Sequence, residues 1–88
     1  MSEMMIQPDS LRGGAEQFDL AGKDLDEILK RLDGVTGGLK EEWAGVSQQV
    51  FYKQYAELRQ YMEAFTLLMG QISLEMNAMA ERFEKADR

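Results

Sequence analysis

From Leu11 onward, apolar residues recur at alternating steps of four and three positions. The series runs Leu11, Ala15, Phe18, Gly22, Leu25, Leu29, Leu32, Thr36, Leu39 and Trp43, and seven of the ten are bulky and apolar. Such spacing places them on one side of a helix and defines a heptad seam. The spacing restarts after Gly45 and selects Phe51, Tyr55, Leu58, Met62, Phe65, Met69, Ile72, Met76, Met79 and Phe83, all apolar or aromatic. Between the arrays lies Trp43-Ala44-Gly45, where glycine is a natural helix breaker. The pattern predicts an all-α chain: a helix over 8–41, a turn over 42–46, a second helix over 47–83 and a frayed tail over 84–88. Two helices joined by one tight turn form an antiparallel hairpin. Each helix spans about 50 Å at the α-helical rise.

Local signals support these boundaries. Pro8 suits a first helical turn, where its missing N–H is no loss. Asp9 puts negative charge at the positive end of the helix dipole. Ser47 is a candidate N-cap for the second helix. The weak point is Asp33 to Gly38, because Gly34, Gly37 and Gly38 each cost about 1 kcal/mol relative to Ala inside a helix. Two readings stand: a turn dividing the first half into shorter helices, or one continuous helix whose glycines admit a neighbour. The seam keeps phase from Leu32 through Thr36 to Leu39, which favours continuity.

Each helix carries a second apolar stripe. On the first it is Gly14, Ala21, Ile28 and Val35. On the second it is Tyr61 and Leu68, with Leu67, Leu74 and Ala78 as further members. Two helices meeting along one seam cover only one stripe each. Burying a Leu or Ile fully gives about 1.5–3 kcal/mol, against about 1–2 kcal/mol per residue for ordering the backbone. A lone hairpin is marginal on these terms, whereas two hairpins packed as a four-helix bundle bury both stripes. The expected dimer interface is therefore Gly14, Ala21, Ile28, Val35, Tyr61 and Leu68. The small residues Gly14, Ala21 and Gly22 are expected to permit close helix packing.

Composition sharpens this picture by exclusion. The 88 residues make one small domain with no Cys and no His, so disulfides and the usual His/Cys metal sites are out. Sixteen acidic residues against ten basic ones give a net charge of -6, and the basic residues are scattered, so nucleic acid is not expected as a partner. Met1 to Ser10 carries Glu3 and Asp9 and lacks the basic start and long apolar run of a signal peptide. No apolar stretch approaches the roughly 20 residues of a membrane span. A membrane-lying helix would want Lys and Arg along its polar face, and here that face is mixed and acidic. Pairs such as Asp26/Lys30, Glu27/Arg31 and Glu81/Lys85 read as solvated helix faces.

Chemistry is sparse. Ser10, Ser47 and Ser73 have no His to activate them. Asp24/Asp26 and Glu41/Glu42 have no evident pocket to tune them. Gly34-Val35-Thr36-Gly37-Gly38-Leu39-Lys40 lacks P-loop spacing. No enzyme, cofactor or metal is expected, and the seven Met residues read as core filling.

The length, the central Trp43-Ala44-Gly45, the Ile6-x-Pro8 start, Phe51 eight residues beyond the Trp, and the flanking helices together resemble the WXG100 family, the small early-secreted-antigen-like proteins of type VII secretion systems. The resemblance covers essentially the whole chain. It implies a hairpin that dimerises, with itself or with a paralogue. It also implies export without a classical signal peptide through a machine powered by an FtsK/SpoIIIE-like ATPase, mostly in Gram-positive bacteria. Family members often carry Tyr-x-x-x-Asp/Glu after the second helix, and the matching positions here are Phe83 and Asp87. In the family the Trp-x-Gly turn of one subunit lies near the C-terminal signal of the other, so the resemblance assigns export and partner recognition to Trp43, Gly45, Phe83 and Asp87. The self-complementary seam favours a homodimer. The alternatives are an intracellular coiled-coil adaptor or chaperone that is never exported and, ranked last, a membrane-acting effector.

Overall fold

The computed structural model describes residues 6–86, and these form two long helices, α1 (Pro8–Leu39) and α2 (Val46–Ala86). They pack antiparallel as a rod of 65 × 21 × 16 Å. α1 starts where the sequence places it: Pro8 occupies the first turn, and the Gln7 carbonyl accepts the backbone N–H groups of Ser10 and Leu11.

α1 runs unbroken through Gly34, Gly37 and Gly38. Its own residues do little to explain this, since three glycines weaken the segment. The support comes from across the hairpin. Tyr52 donates its hydroxyl to the Thr36 carbonyl, and Tyr55 and Arg59 both bond Asp33. The Thr36 hydroxyl bonds back to the Asp33 carbonyl at 3.2 Å.

The turn departs from its expected limits. α1 stops at Leu39 rather than 41, and α2 begins at Val46 rather than 47. Gly45 supplies the reversal at φ 103°, a left-handed conformation that costs a side-chain-bearing residue strain. The Gly45 carbonyl accepts Gln49 N–H at 3.4 Å, so Gly45 stands at the N-terminal boundary of α2. Ser47 is consequently inside the first turn and is not the cap; its hydroxyl is used by Trp43 instead. The tail also differs: α2 continues to Ala86 instead of fraying from 84. Glu84 is paired with Arg12 of α1, and Lys85 lies favourably against the carbonyl end of the helix dipole.

The hairpin core follows the expected seam on α1 and, apart from Leu58 and Phe65, on α2. Leu11, Ala15, Gly22, Leu29 and Thr36 are buried on α1. On α2 the buried residues are Met62, Ser73 and Ala80, with Thr66 and Met69 half-buried between them. Leu58 and Phe65, assigned to the hairpin seam by spacing, are exposed. The inner strip of α2 is thus shifted toward one edge of that seam: Met62 is buried, Met69, Ile72, Met76 and Met79 are half-buried, and Thr66, Ser73 and Ala80 join them while Phe65 is left outside. Close backbone approach selects these small residues. A Cβ placed on Gly22 would lie 3.4 Å from Met69 Cβ and 3.5 Å from the Thr66 carbonyl oxygen. The hydroxyls tolerate this position: Thr66 donates to the Met62 carbonyl at 2.9 Å. Among the described residues no buried side-chain nitrogen or oxygen lacks a partner.

Candidate functional site

Three surfaces carry the candidate residues: the turn end, the open end and one broad side of the rod.

At the turn end, Trp43 donates its indole N–H to Ser47 Oγ at 2.9 Å and lies 5.1 Å from the Phe51 ring, centroid to centroid. Phe51 in turn meets Tyr52 edge-on and stacks on Tyr55. The eight-residue step from Trp43 to Phe51 therefore closes an aromatic cluster over the turn. Lys40 Nζ sits 5.7 Å above the Tyr52 ring.

A polar clasp adjoins this cluster. Arg59 grips Asp33 with two bonds, Nε at 3.1 Å and Nη2 at 2.9 Å, and also pairs with Glu63. Tyr55 donates to the same carboxylate at 2.5 Å. The Arg59 guanidinium, aided by the Tyr55 hydroxyl, holds the Asp33 carboxyl well below the usual carboxylate range, at about 2. Arg59 is raised by Asp33 above its already high value. Tyr55 is raised by burial first and by Asp33 second.

The open end carries Phe83, half-buried on α2, beside the pair between Arg12 and Glu84. Arg12 also lies 3.8 Å from Asp9.

The two broad sides of the rod are chemically unlike. Helical periodicity puts Arg59, Glu63 and Glu84 of α2 on the same side as Asp19, Lys23, Asp26, Lys30 and Asp33 of α1. Ion pairs lace this side: Asp19–Lys23 at 3.3 Å, Asp26–Lys30 at 3.0 Å and Asp33–Arg59 at 2.9 Å. The other side presents Ile28 and Val35 from α1 and Leu58, Tyr61, Phe65 and Leu68 from α2. Phe65 is 52% exposed, Val35 61% and Tyr61 65%. Leu67 and Leu74 are also exposed, further round α2.

The expected site residues divide accordingly. Trp43 and Gly45 meet at the turn. Phe83 lies at the opposite end, ~48 Å along α2 from Phe51 at the α-helical rise, so a single chain does not bring these residues together. Asp87 lies outside the described residues. Of the expected interface set, Val35, Tyr61 and Leu68 are exposed and Ala21 and Ile28 half-buried on the apolar side. Gly14 is covered from within the hairpin, where a Cβ would meet Met76 Cε at 2.5 Å, so it is a contact of this chain with itself.

Sequence reasoning missed Asp33, Tyr52, Tyr55 and Arg59. The signal was available in part: 52, 55 and 59 fall on one helical face, opposite a lone acid next to a run of glycines.

Among the described residues there is no group of three or more acidic side chains suited to a metal ion, and no helix is long and apolar enough to cross a membrane. An open two-helix rod with an aromatic turn and one uncovered apolar side belongs to the class of small helical interaction proteins. Comparison with known proteins makes the assignment specific. The family model described as "WXG100: Proteins of 100 residues with WXG" matches residues 3–88, and the chain belongs to that family. It is 24% identical to the protein YukE of Bacillus subtilis over 83 residues, covering 94% of this chain and 86% of YukE. It is 22% identical to the type VII secretion system extracellular protein A of Staphylococcus aureus, covering all of this chain and 91% of that protein. Among solved structures, the secreted protein EsxB of Bacillus anthracis superposes with a TM-score of 0.86 at 27% identity, over 100% of both chains. EsxA of Geobacillus thermodenitrificans gives 0.86 at 29% identity, over 97% of this chain and 92% of its own.

Proposed function

We propose that the protein is a small secreted substrate and export partner of a type VII secretion system, acting through protein–protein contact as a dimer. The observation that supports this most directly is the uncovered apolar side in a chain of the WXG100 family. A second hairpin laid on that side forms a four-helix bundle, buries Val35, Tyr61, Phe65 and Leu68, and leaves the ion-paired sides in water. An antiparallel arrangement brings the Trp43-Ala44-Gly45 turn of one chain beside the Phe83/Asp87 end of its partner. That composite surface is the element offered to an FtsK/SpoIIIE-like ATPase. Phe83 keeps the ring of the family's tyrosine and dispenses with its hydroxyl. The partner is a second copy of this chain or a paralogue of the same design.

Fractionating cultures that carry a working secretion machine tests this. Wild-type protein is expected in the medium, while Trp43→Ala and Asp87→Ala variants accumulate in cells at normal levels. Export of both variants at the wild-type level would remove the composite signal. Retention of the wild type in cells would favour the non-exported adaptor. Light scattering should give twice the chain mass of 10.1 kDa at micromolar concentration.

A further inference from the structure

The last described turn of α2 is held by a contact that its own composition does not supply. Ala80 is the final fully buried residue of the helix. Of the six described positions beyond it, Glu81, Arg82, Glu84 and Lys85 are charged, and a terminal turn with so little to bury unwinds readily. The helix nevertheless continues to Ala86. Glu84 reaches across 72 positions of sequence to Arg12. The two side chains are 43% and 39% exposed, partly sheltered from solvent. Arg12 stands on firm ground, because Leu11 and Ala15 beside it are buried in the hairpin. The rigid start of α1 therefore restrains the weak end of α2.

We infer that Arg12 is a positioning residue: through Glu84 it keeps the last turn of α2, and with it Phe83, helical against the start of α1. The inference rests on the proposed export function for its significance, since Phe83 belongs to the proposed C-terminal element. Helical form matters there because it fixes the side of α2 on which Phe83 stands.

Amide hydrogen exchange on the purified full-length protein tests the restraint without reference to secretion. Arg12→Gln should speed exchange of the amides of residues 83–86 about two- to five-fold, the range an exposed ion pair supports. Exchange in the middle of α2, around Met62 to Ser73, should stay unchanged. Reversing both charges, Arg12→Glu with Glu84→Arg, should restore the slow exchange. Unchanged exchange at 83–86, acceleration spread equally along the helix, or failure of the reversed pair to restore it would each overturn the assignment. In culture, Arg12→Gln should lower export and the reversed pair should recover it. Faster exchange with undiminished export of Arg12→Gln would overturn the link to the export element. Faster exchange in a protein whose wild type is not exported would uphold the restraint and fell the export reading alone.

Discussion

The two broad sides of this rod solve opposite problems. The charged side is laced by Asp19–Lys23, Asp26–Lys30 and Asp33–Arg59 along and across the helices, and Asp33 bonds Tyr55 and Arg59 together, although Leu67 and Leu74 also border it. The apolar side is unfinished, with Val35, Tyr61, Phe65 and Leu68 left in water. Between them, the inner strip combines bulky Leu11, Leu29 and Met62 with small Ala15, Gly22, Thr36, Ser73 and Ala80, which let the helices approach closely. Several further large side chains, Tyr61 and Phe65 among them, are left on an outer surface. The lesson is that the hairpin covers one face of each helix and leaves an apolar face available for the association proposed above.

The comparison can be broken most decisively on the apolar side. Phe65→Asp places an unpaired charge at its centre and should cost about 3 kcal/mol or more of dimer stability, in the range of interface hot spots. Light scattering should then give the monomer mass, and circular dichroism should show a lower, concentration-independent melting midpoint. A dimer of unchanged stability would show that the apolar side is not the interface.

On the charged side a smaller substitution sharpens the contrast. Gly34 has open space where a Cβ would stand, and Gly34→Ala should add about 0.5–1 kcal/mol through helix propensity and a less disordered unfolded chain. Thermal melts should rise while the mass stays that of the dimer.

Smallest is the effect of pH at Asp33. Its carboxyl is lowered from 3.8 to about 2 in the folded chain. The stability it contributes is therefore fully present above about pH 4 and is lost as pH falls toward 2. Melting midpoints measured from pH 5 to pH 2 should fall more steeply for the wild type than for Asp33→Asn. Parallel curves would show that the Arg59 clasp adds nothing to folding.

Much of the fold was legible from spacing alone, because two long in-phase arrays around one glycine admit few arrangements. Which edge of α2 faces α1 was not legible. Leu58, Phe65, Ile72 and Met79 form as good a heptad line as any, and bulk suggested they belonged inside. Only the close approach at Gly22 favours Thr66 there, and its hydroxyl bonds the Met62 carbonyl of its own helix, which periodicity does not register. The glycine-rich end of α1 was open to two readings for the same reason: what secures it, Tyr52, Tyr55 and Arg59, lies 16 to 26 positions away. At the turn, Trp43 and Gly45 were marked by their motif, whereas Ser47 looked like a cap until the indole was seen to claim its hydroxyl.

The rod is only 16 Å thick at its narrowest. A body so thin has no deep interior, and its charged groups lie within the reach of dissolved ions, whose screening length at physiological salt is about 8 Å. Among the described residues, water is shut out only along the thin strip that includes Ala15, Leu29 and Ala80. In the proposed four-helix bundle two such rods would close on one another, and the assembly would own a larger inside than either hairpin.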